Sequence, residues 1–266
     1  MKKHNIIAMA LTSLMALPVI AQDSTPAVGD ILQGINMFTP EEGDPAYKVK
    51  ANEKYGTQWG VDMAYGLWNT EKVSDVKRHN NLALLHAQLN QRLIEDKANG
   101  GTWLRVEFSG SWGLDRESAQ SDTFFTEAYA TASGLHADAM GPHEGIFPEV
   151  ALMQYFAGKR ACLIAGMVNL TNYFDAVSIA NDSFSSFTND GFVNSTILPL
   201  VDSNIGGMPQ VELNRNNYMM VAVSRTGCDS GYNPFNSDYC DGYAVVGEYG
   251  HIFADGAATL RINPFY

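Results

Sequence analysis

Apolar and polar residues alternate along most of the chain with a period of two. In the segment QWGVDMAYGLW, Trp59, Val61 and Met63 fall on one face and Asp62 falls on the other. Successive side chains of a β-strand point to opposite faces, so this alternation predicts a strand. The same pattern predicts nine further strands, at 82–94, 102–112, 124–132, 149–156, 161–168, 207–213, 218–225, 243–252 and 257–263.

Residues 82–94 also fit a helix, because Leu, Ala, Gln and Arg all favour helices. Their polar residues recur at every second position, as His86, Gln88, Asn90 and Arg92. The period of two favours the strand. The sequence Asn99-Gly100-Gly101 that follows is typical of a hairpin turn.

The connections between the predicted strands fall into two classes. Several are short turns, at 157–159, 214–217 and 254–256. The others are long and irregular, at 69–80, 113–123, 133–148, 169–206 and 226–242. About ten antiparallel strands with tight turns at one end and long loops at the other are therefore expected. No interior linker divides residues 55–266, and residues 22–54 read as an irregular N-terminal arm.

The two faces of these strands distinguish a soluble sandwich from a membrane barrel. The apolar faces carry aromatic residues near strand ends, such as Trp59, Tyr65 and Trp112, whereas the opposite faces carry charges of both signs. A porin-like barrel needs an apolar outer band with aromatic rims and a polar interior. The prediction is an all-β fold, an antiparallel transmembrane β-barrel of the outer-membrane porin type with about ten strands present.

The first residues predict export from the cytoplasm. Two lysines are followed by an apolar run and then by small residues that end at Ala21. This is the pattern of a secretory signal peptide over residues 1–21. Its removal takes away Lys2 and Lys3, so the 17 basic residues fall to 15 against 29 acidic ones and the net charge becomes −14. This charge disfavours nucleic acid as a partner. The predicted location is the outer membrane of a Gram-negative-type bacterium.

Three cysteines are present. Cys228 and Cys240 flank a polar segment, and in an exported protein they are expected to form a disulfide that closes a surface loop. Cys162 lies in an apolar strand, where a buried or lipid-facing free thiol is expected. The sequence contains neither a CxxC pair nor a His pair at helical spacing, the patterns that would indicate a metal site. No cofactor is expected.

The segment 160–201 combines an apolar run with a long stretch of Asn, Asp, Ser and Phe that has no helix or strand period. Its aromatic residues argue against disorder, and long loops of this kind are usually functional. We expect a strand followed by an ordered loop that is long enough to fold inward.

The stretch around this segment reads ALMQYFAGKRACLIAGMVNLTNYFDAVSIANDSFSSFTNDGFVN and contains Tyr173, Phe174, Ala180, Asn181, Asp182, Phe187, Asn189 and Phe192. With these residues it resembles the carbohydrate-selective porins of the OprB family, and a looser similarity extends over roughly residues 55–253. The resemblance implies a sixteen-stranded outer-membrane barrel that admits small neutral sugars by diffusion. It also implies a constriction loop that contains Asn181, Asp182, Phe187 and Asn189.

The chain is shorter than that family's barrel. Its strands number about ten to twelve, so it is interpreted either as a truncated portion of a sixteen-stranded barrel or as a smaller, diverged one. Two other functions stay open: a secreted glycoside hydrolase or sugar-binding β-sandwich, and an outer-membrane structural or adhesive protein. Whether it forms a homo-oligomer also stays open.

Pore-lining candidates follow only from facing parity, that is, from which side of its strand each residue is expected to occupy. They are Asp62, His86, Gln88, Asn90, Arg92, Arg105, Glu107 and Glu149. Such groups can exchange hydrogen bonds with sugar hydroxyls while no bond is made or broken, so an enzyme is not expected. A hydrolase would need two carboxylates about 5–10 Å apart, which acids such as Glu107 and Glu149 could supply.

Overall fold

A computed structural model describes residues 9–10, 45–69, 79–114, 143–174, 200, 203–226, 242–253 and 258–266. Its strands are β1 Met9–Ala10, β2 Thr57–Asn69, β3 His79–Ile94, β4 Thr102–Gly113, β5 His143–Phe156, β6 Ala161–Val168, β7 Asn204–Asn214, β8 Asn217–Thr226, β9 Gly242–Phe253 and β10 Ala258–Pro264. One helix, α1 Ala46–Tyr55, precedes β2, and single 3-10 turns follow β5 and β6 at Ala157–Lys159 and Leu170–Asn172. Within these residues no helix is long and apolar enough to cross a membrane.

The strands form one antiparallel sheet in the order β1-β10-β9-β8-β7-β6-β5-β4-β3-β2. From β2 to β10 each strand pairs with the next one along the chain. The predicted all-β antiparallel class is confirmed, and nine of the ten predicted strands coincide with β2 to β10. The predicted strand 124–132 lies outside the described residues, as does the predicted signal peptide apart from β1, which pairs with β10.

Two sequence-based boundaries are wrong. Residues 46–54 form most of α1 rather than an irregular arm, because Ala, Lys and Glu favour helix and Gly56 ends it in a left-handed conformation, φ 63°. Strand β5 begins at His143, six residues before the predicted start. A β-bulge opposite Phe108 breaks its alternation, so the period-two pattern becomes visible only from Glu149.

The connections confirm the predicted asymmetry. Residues 95–101, 157–160, 215–216 and 254–257 connect strands at one end of the sheet, called here the short-turn end. Residues 70–78, 114–142, 169–203 and 227–241 connect them at the opposite, long-loop end.

The predicted hairpin at Asn99-Gly100-Gly101 is present and is organised by Asp96. Its Oδ1 accepts hydrogen bonds from the backbone N–H groups of Ala98 and Asn99, and its Oδ2 accepts one from the Asn99 side chain. These hydrogen bonds from Asn99 lower the pKa of the Asp96 carboxyl. Gly101 has φ 80°, and a Cβ there would collide with the Ile94 carbonyl, so the turn requires glycine.

The sheet has an exposed apolar face and a buried face that carries charges. The exposed face, called here the outer face, bears large apolar side chains, among them Trp59, Val61, Met63, Tyr65, Val150, Leu152, Leu163, Met219, Val221, Val223, Tyr243, Tyr249, Phe253 and Ile262. The opposite, inner face bears the buried polar side chains, among them His86, Gln88, Asn90, Arg105, Glu107, Glu149, Gln210, Ser224, Glu248 and Asn263. This is the reverse of a water-soluble sheet, whose apolar face is the buried one.

The inner face of β5 to β9 also holds an apolar cluster. Met153, Ile164, Met208, Met220 and Val246 pack there and are almost fully buried. Residues Leu170, Tyr173 and Phe174, which follow β6, join the same cluster. The chain therefore turns onto the inner face immediately after β6.

The contact between Gly250 and Tyr218 gives a test of inner-face packing. The two residues are direct cross-strand partners, and a Cβ on Gly250 would overlap the fully buried Tyr218 ring. Gly250→Ala is expected to lower the free energy of unfolding by about 1–3 kcal/mol, because the ring must move. Urea titration of the folded protein measures this difference.

Gly207→Ala is the matched control. Gly207 is also a strand glycine, but the nearest atom to a Cβ there is the Ile164 carbonyl oxygen at 3.6 Å, an ordinary contact. An equal loss of stability in both variants would show that the Tyr218 ring is not the cause.

Candidate functional site on the inner face

Six of the eight predicted pore-lining residues lie together on β3, β4 and β5. They are His86, Gln88, Asn90, Arg105, Glu107 and Glu149, and each is at least nine-tenths buried on the inner face. Gln88 pairs with Glu107, Glu107 with Glu149 and Asn90 with Arg105 across the strands. Facing parity brings them together because strand residues two apart share a face.

Asp62 and Arg92 are less buried than these six residues. Asp62 pairs with His86 across β2 and β3 and shares the inner-face parity of β2, but its side chain is exposed. Arg92 is half-buried at the short-turn end, where its guanidinium carbon lies 5.8 Å from the centroid of the Trp103 ring. A role of these two residues in lining a pore stays a prediction.

Two carboxylates form the centre of the cluster. Glu107 and Glu149 are direct neighbours across β4 and β5, an arrangement that like charges disfavour. The side-chain amide of Asn172 donates to both, at 2.8 Å to Glu107 Oε2 and 3.0 Å to Glu149 Oε2. Asn172 thus acts as a bridge that holds the two acids side by side.

The remaining carboxylate oxygens also have partners. His86 Nε2 lies 2.7 Å from Glu107 Oε1, and the Tyr173 hydroxyl donates to Glu149 Oε1. Arg105 Nε lies 3.3 Å from Glu149 Oε2 as an ion pair without forming a hydrogen bond. The Arg105 guanidinium also lies 5.7 Å from the centroid of the Tyr173 ring.

Asn172 and Tyr173 reach the acids because of the 3-10 turn that follows β6. The Asn169 side chain caps this turn by accepting hydrogen bonds from the Thr171 backbone N–H and hydroxyl. The expectation that the chain after β6 folds inward is confirmed for residues 170–174. The constriction-loop candidates Asn181, Asp182, Phe187 and Asn189 lie outside the described residues.

A second acid-centred cluster lies on β8, β9 and β10. Glu248 accepts hydrogen bonds from the Tyr218 hydroxyl at 2.6 Å and from the Asn263 amide at 2.8 Å. Arg261 lies 3.6 Å from the same carboxylate and donates to the Tyr218 hydroxyl. These residues are not among the predicted pore-lining candidates. Glu248 nevertheless has the same period-two position on the polar face of its strand as Glu107.

Some buried amide oxygens on the inner face accept no hydrogen bond from the described protein atoms. Among them are Gln88 Oε1 and Asn90 Oδ1 on β3 and Gln210 Oε1 on β7. Gln88 lies beside Gly60 of β2, which contributes no side chain. Buried amide oxygens normally accept a hydrogen bond from protein or water, so Gln88 Oε1 and Asn90 Oδ1 are suited to accept one from a hydroxyl group. Gln210 instead lies between Cys162 and Met220 of the apolar cluster.

Cys162 is buried and free, as expected, on the inner face of β6. The predicted pair Cys228 and Cys240 lies outside the described residues. Among the residues that are described, no group of three His, Cys, Asp or Glu side chains is placed to hold a metal ion.

Comparisons of the chain with protein-family models, with curated proteins and with solved structures found no match. The resemblance to carbohydrate-selective porins therefore stays an expectation that rests on the residues quoted for it.

The bridge between the two acids gives a direct test of this cluster. Asn172→Asp replaces the donor that holds Glu107 and Glu149 with a third carboxylate. We expect the free energy of unfolding at neutral pH to fall by about 2–4 kcal/mol, because two hydrogen bonds to charged groups are replaced by repulsion. Urea unfolding followed by intrinsic fluorescence measures the change.

Asn214→Asp serves as the control for the same chemical change. The exposed Asn214 side chain accepts its hydrogen bonds, from the Asn216 backbone and the Asn217 amide, and aspartate can accept them equally well. Unchanged stability of Asn172→Asp, or an equal loss in Asn214→Asp, would contradict the role given to Asn172.

Proposed function

We propose that the chain is an outer-membrane protein whose sheet forms the wall of a porin-type barrel and lets small neutral sugars diffuse through its interior. The reversed polarity of the two faces of the sheet, called here the inverted sheet, supports this proposal. Its outer face exposes apolar side chains while its inner face buries His, Arg and Glu residues. Water would destabilise the exposed face, whereas lipid tails are a suitable environment for it.

The arrangement of outer-face residues supports a membrane span. Across β9, Tyr243 lies near the long-loop end and Phe253 at the short-turn end, ten residues further along the strand. That corresponds to roughly 33 Å along the strand, or about 25 Å across the sheet at the usual tilt, which equals the apolar height of a membrane barrel. In the described strands, the only Asp, Glu, Lys or Arg on the outer face is Arg225, near the long-loop end of β8.

Closure of a barrel would need further pairing at the sheet edges. Strands β2 and β10 run in the same direction, because eight antiparallel pairings separate them. Once a signal peptide that includes β1 is removed, antiparallel closure requires at least one more strand between these two. Lipid favours such closure strongly, since unpaired backbone groups at an edge are costly there.

The inner face suits neutral solutes. Each of its buried acids Glu107, Glu149 and Glu248 has a cation or histidine within 3.6 Å, at Arg105, His86 or Arg261. Paired charges leave a weak net field at longer range, so the interior gives a charged solute little attraction. Amide oxygens such as those of Gln88 and Asn90 can accept hydrogen bonds from sugar hydroxyls.

The hydrolase alternative is less well supported. Glu107 and Glu149 are adjacent, but all four of their carboxylate oxygens contact protein groups. A general acid or nucleophile needs an oxygen that can reach the substrate. This geometry favours a structural role for the pair.

Membrane embedding is tested by a charge on the outer face. Val221 is exposed at the middle of β8, between Met219 and Val223. Val221→Arg is expected to lower the free energy of unfolding in phospholipid vesicles by about 2–4 kcal/mol, because the guanidinium would meet lipid tails. Reversible urea unfolding from vesicles measures the difference, with Val221→Ala as the control. A change within about 0.5 kcal/mol, as on a water-exposed surface, would contradict embedding.

Transport is tested by solute flux into vesicles that contain the purified chain. We expect neutral mono- and disaccharides to enter faster than charged solutes of similar size. The double variant Gln88→Leu, Asn90→Leu is expected to slow sugar entry severalfold, because hydroxyl groups lose their acceptors. Gln210→Leu removes a similar buried acceptor within the apolar cluster and is expected to leave the flux unchanged. Absence of flux in the unmodified chain would leave only a structural role.

A further inference from the structure

Helix α1 packs against the outer face at the short-turn end. The Tyr47 ring stacks on Trp59 of β2 at a centroid distance of 6.3 Å, and Lys48 Nζ lies 5.0 Å from the centroid of the same ring. Trp59 belongs to the apolar outer face and is partly exposed. The helix therefore lies beside the face that would meet lipid, at the edge of its aromatic rim.

Basic residues accumulate around this helix. The exposed ones are Lys50 and Lys54 on α1, Lys97, Lys159 and Arg160 in the first two short turns, and Arg215 in the third. The described acids at this rim are Glu53, Glu95, Asp96 and Glu212. The chain as a whole has 29 acidic residues against 17 basic ones, so the charge of this rim is opposite in sign to that of the protein.

The opposite end is acidic in sequence. Three of its four connections, 114–142, 169–203 and 227–241, contain several Asp residues each and a single basic residue, Arg116, whereas 70–78 carries Lys72, Lys77 and Arg78 beside Glu71 and Asp75. Basic residues are thus concentrated at the end where membrane barrels carry their short turns, which faces the phospholipid leaflet on the periplasmic side.

The ligand that fits this rim is an anionic lipid headgroup. Lysine places its apolar stem along an apolar surface and its ammonium among headgroups, while Tyr and Trp occupy the same depth. Tyr47 and Tyr55 are each about 60% exposed beside these lysines. We propose that α1 and the short-turn rim bind the phosphate groups of anionic phospholipids in the adjoining leaflet. This proposal rests on the membrane location proposed above.

The test uses the full chain reconstituted in phosphatidylcholine vesicles with trace spin-labelled lipid. Electron paramagnetic resonance compares the fraction of spin-labelled phosphatidylglycerol and of spin-labelled phosphatidylcholine that the protein immobilises. The unmodified chain is expected to favour phosphatidylglycerol, and the triple variant Lys48→Gln, Lys50→Gln, Lys54→Gln to reduce that preference by about threefold or more. High salt should reduce it similarly, because salt screens exposed charges.

Two controls separate lipid recognition from changes in folding. The variant Lys48→Arg, Lys50→Arg, Lys54→Arg keeps the charge and should keep the preference. Arg225→Gln removes a charge at the long-loop end of the outer face and should also keep it. An unchanged preference in the glutamine variant, or one that high salt does not affect, would overturn the proposal. Failure of the chain to immobilise either lipid would instead overturn the membrane location itself.

Discussion

The buried acids of the inner face are tolerated because each one has a partner. A buried carboxylate without donors would cost several kcal/mol, and two adjacent carboxylates would cost more. Glu107 and Glu149 lie side by side on neighbouring strands and both accept a hydrogen bond from the Asn172 amide. His86 also contacts Glu107, and Arg105 and Tyr173 also contact Glu149. The rest of the architecture depends on this compensation, because it allows the sheet to turn its apolar face outward.

The two acid clusters also connect parts of the chain that are distant in sequence. The first links β3, β4 and β5 to the 3-10 turn that follows β6. The second links β8, β9 and β10 around Glu248. Between them lies the apolar cluster of Met153, Ile164, Met208 and Met220. The inner face is thus divided into two polar regions separated by a packed one.

The sequence predicts much of this sheet because strands have a simple period. Alternation alone identified nine described strands and placed His86, Glu107 and Glu149 on one buried face. It failed where the period is broken or absent. The bulge opposite Phe108 hid the start of β5, and α1 gives no period-two signal. The contacts of Asn172 and Tyr173 with the acids depend on tertiary packing across more than twenty positions, which no local pattern encodes.

The environment of the outer face of β8 decides whether the apolar side of the sheet meets lipid or water. Spin labels placed singly at residues 219 to 224, in a chain whose three native cysteines are replaced, would report collision rates with oxygen and with a water-soluble nickel complex in vesicles. The inverted sheet predicts high oxygen and low nickel accessibility at 219, 221 and 223, with both accessibilities low at the buried positions 220, 222 and 224. High nickel accessibility at 219, 221 and 223 would place that face in water and contradict the account.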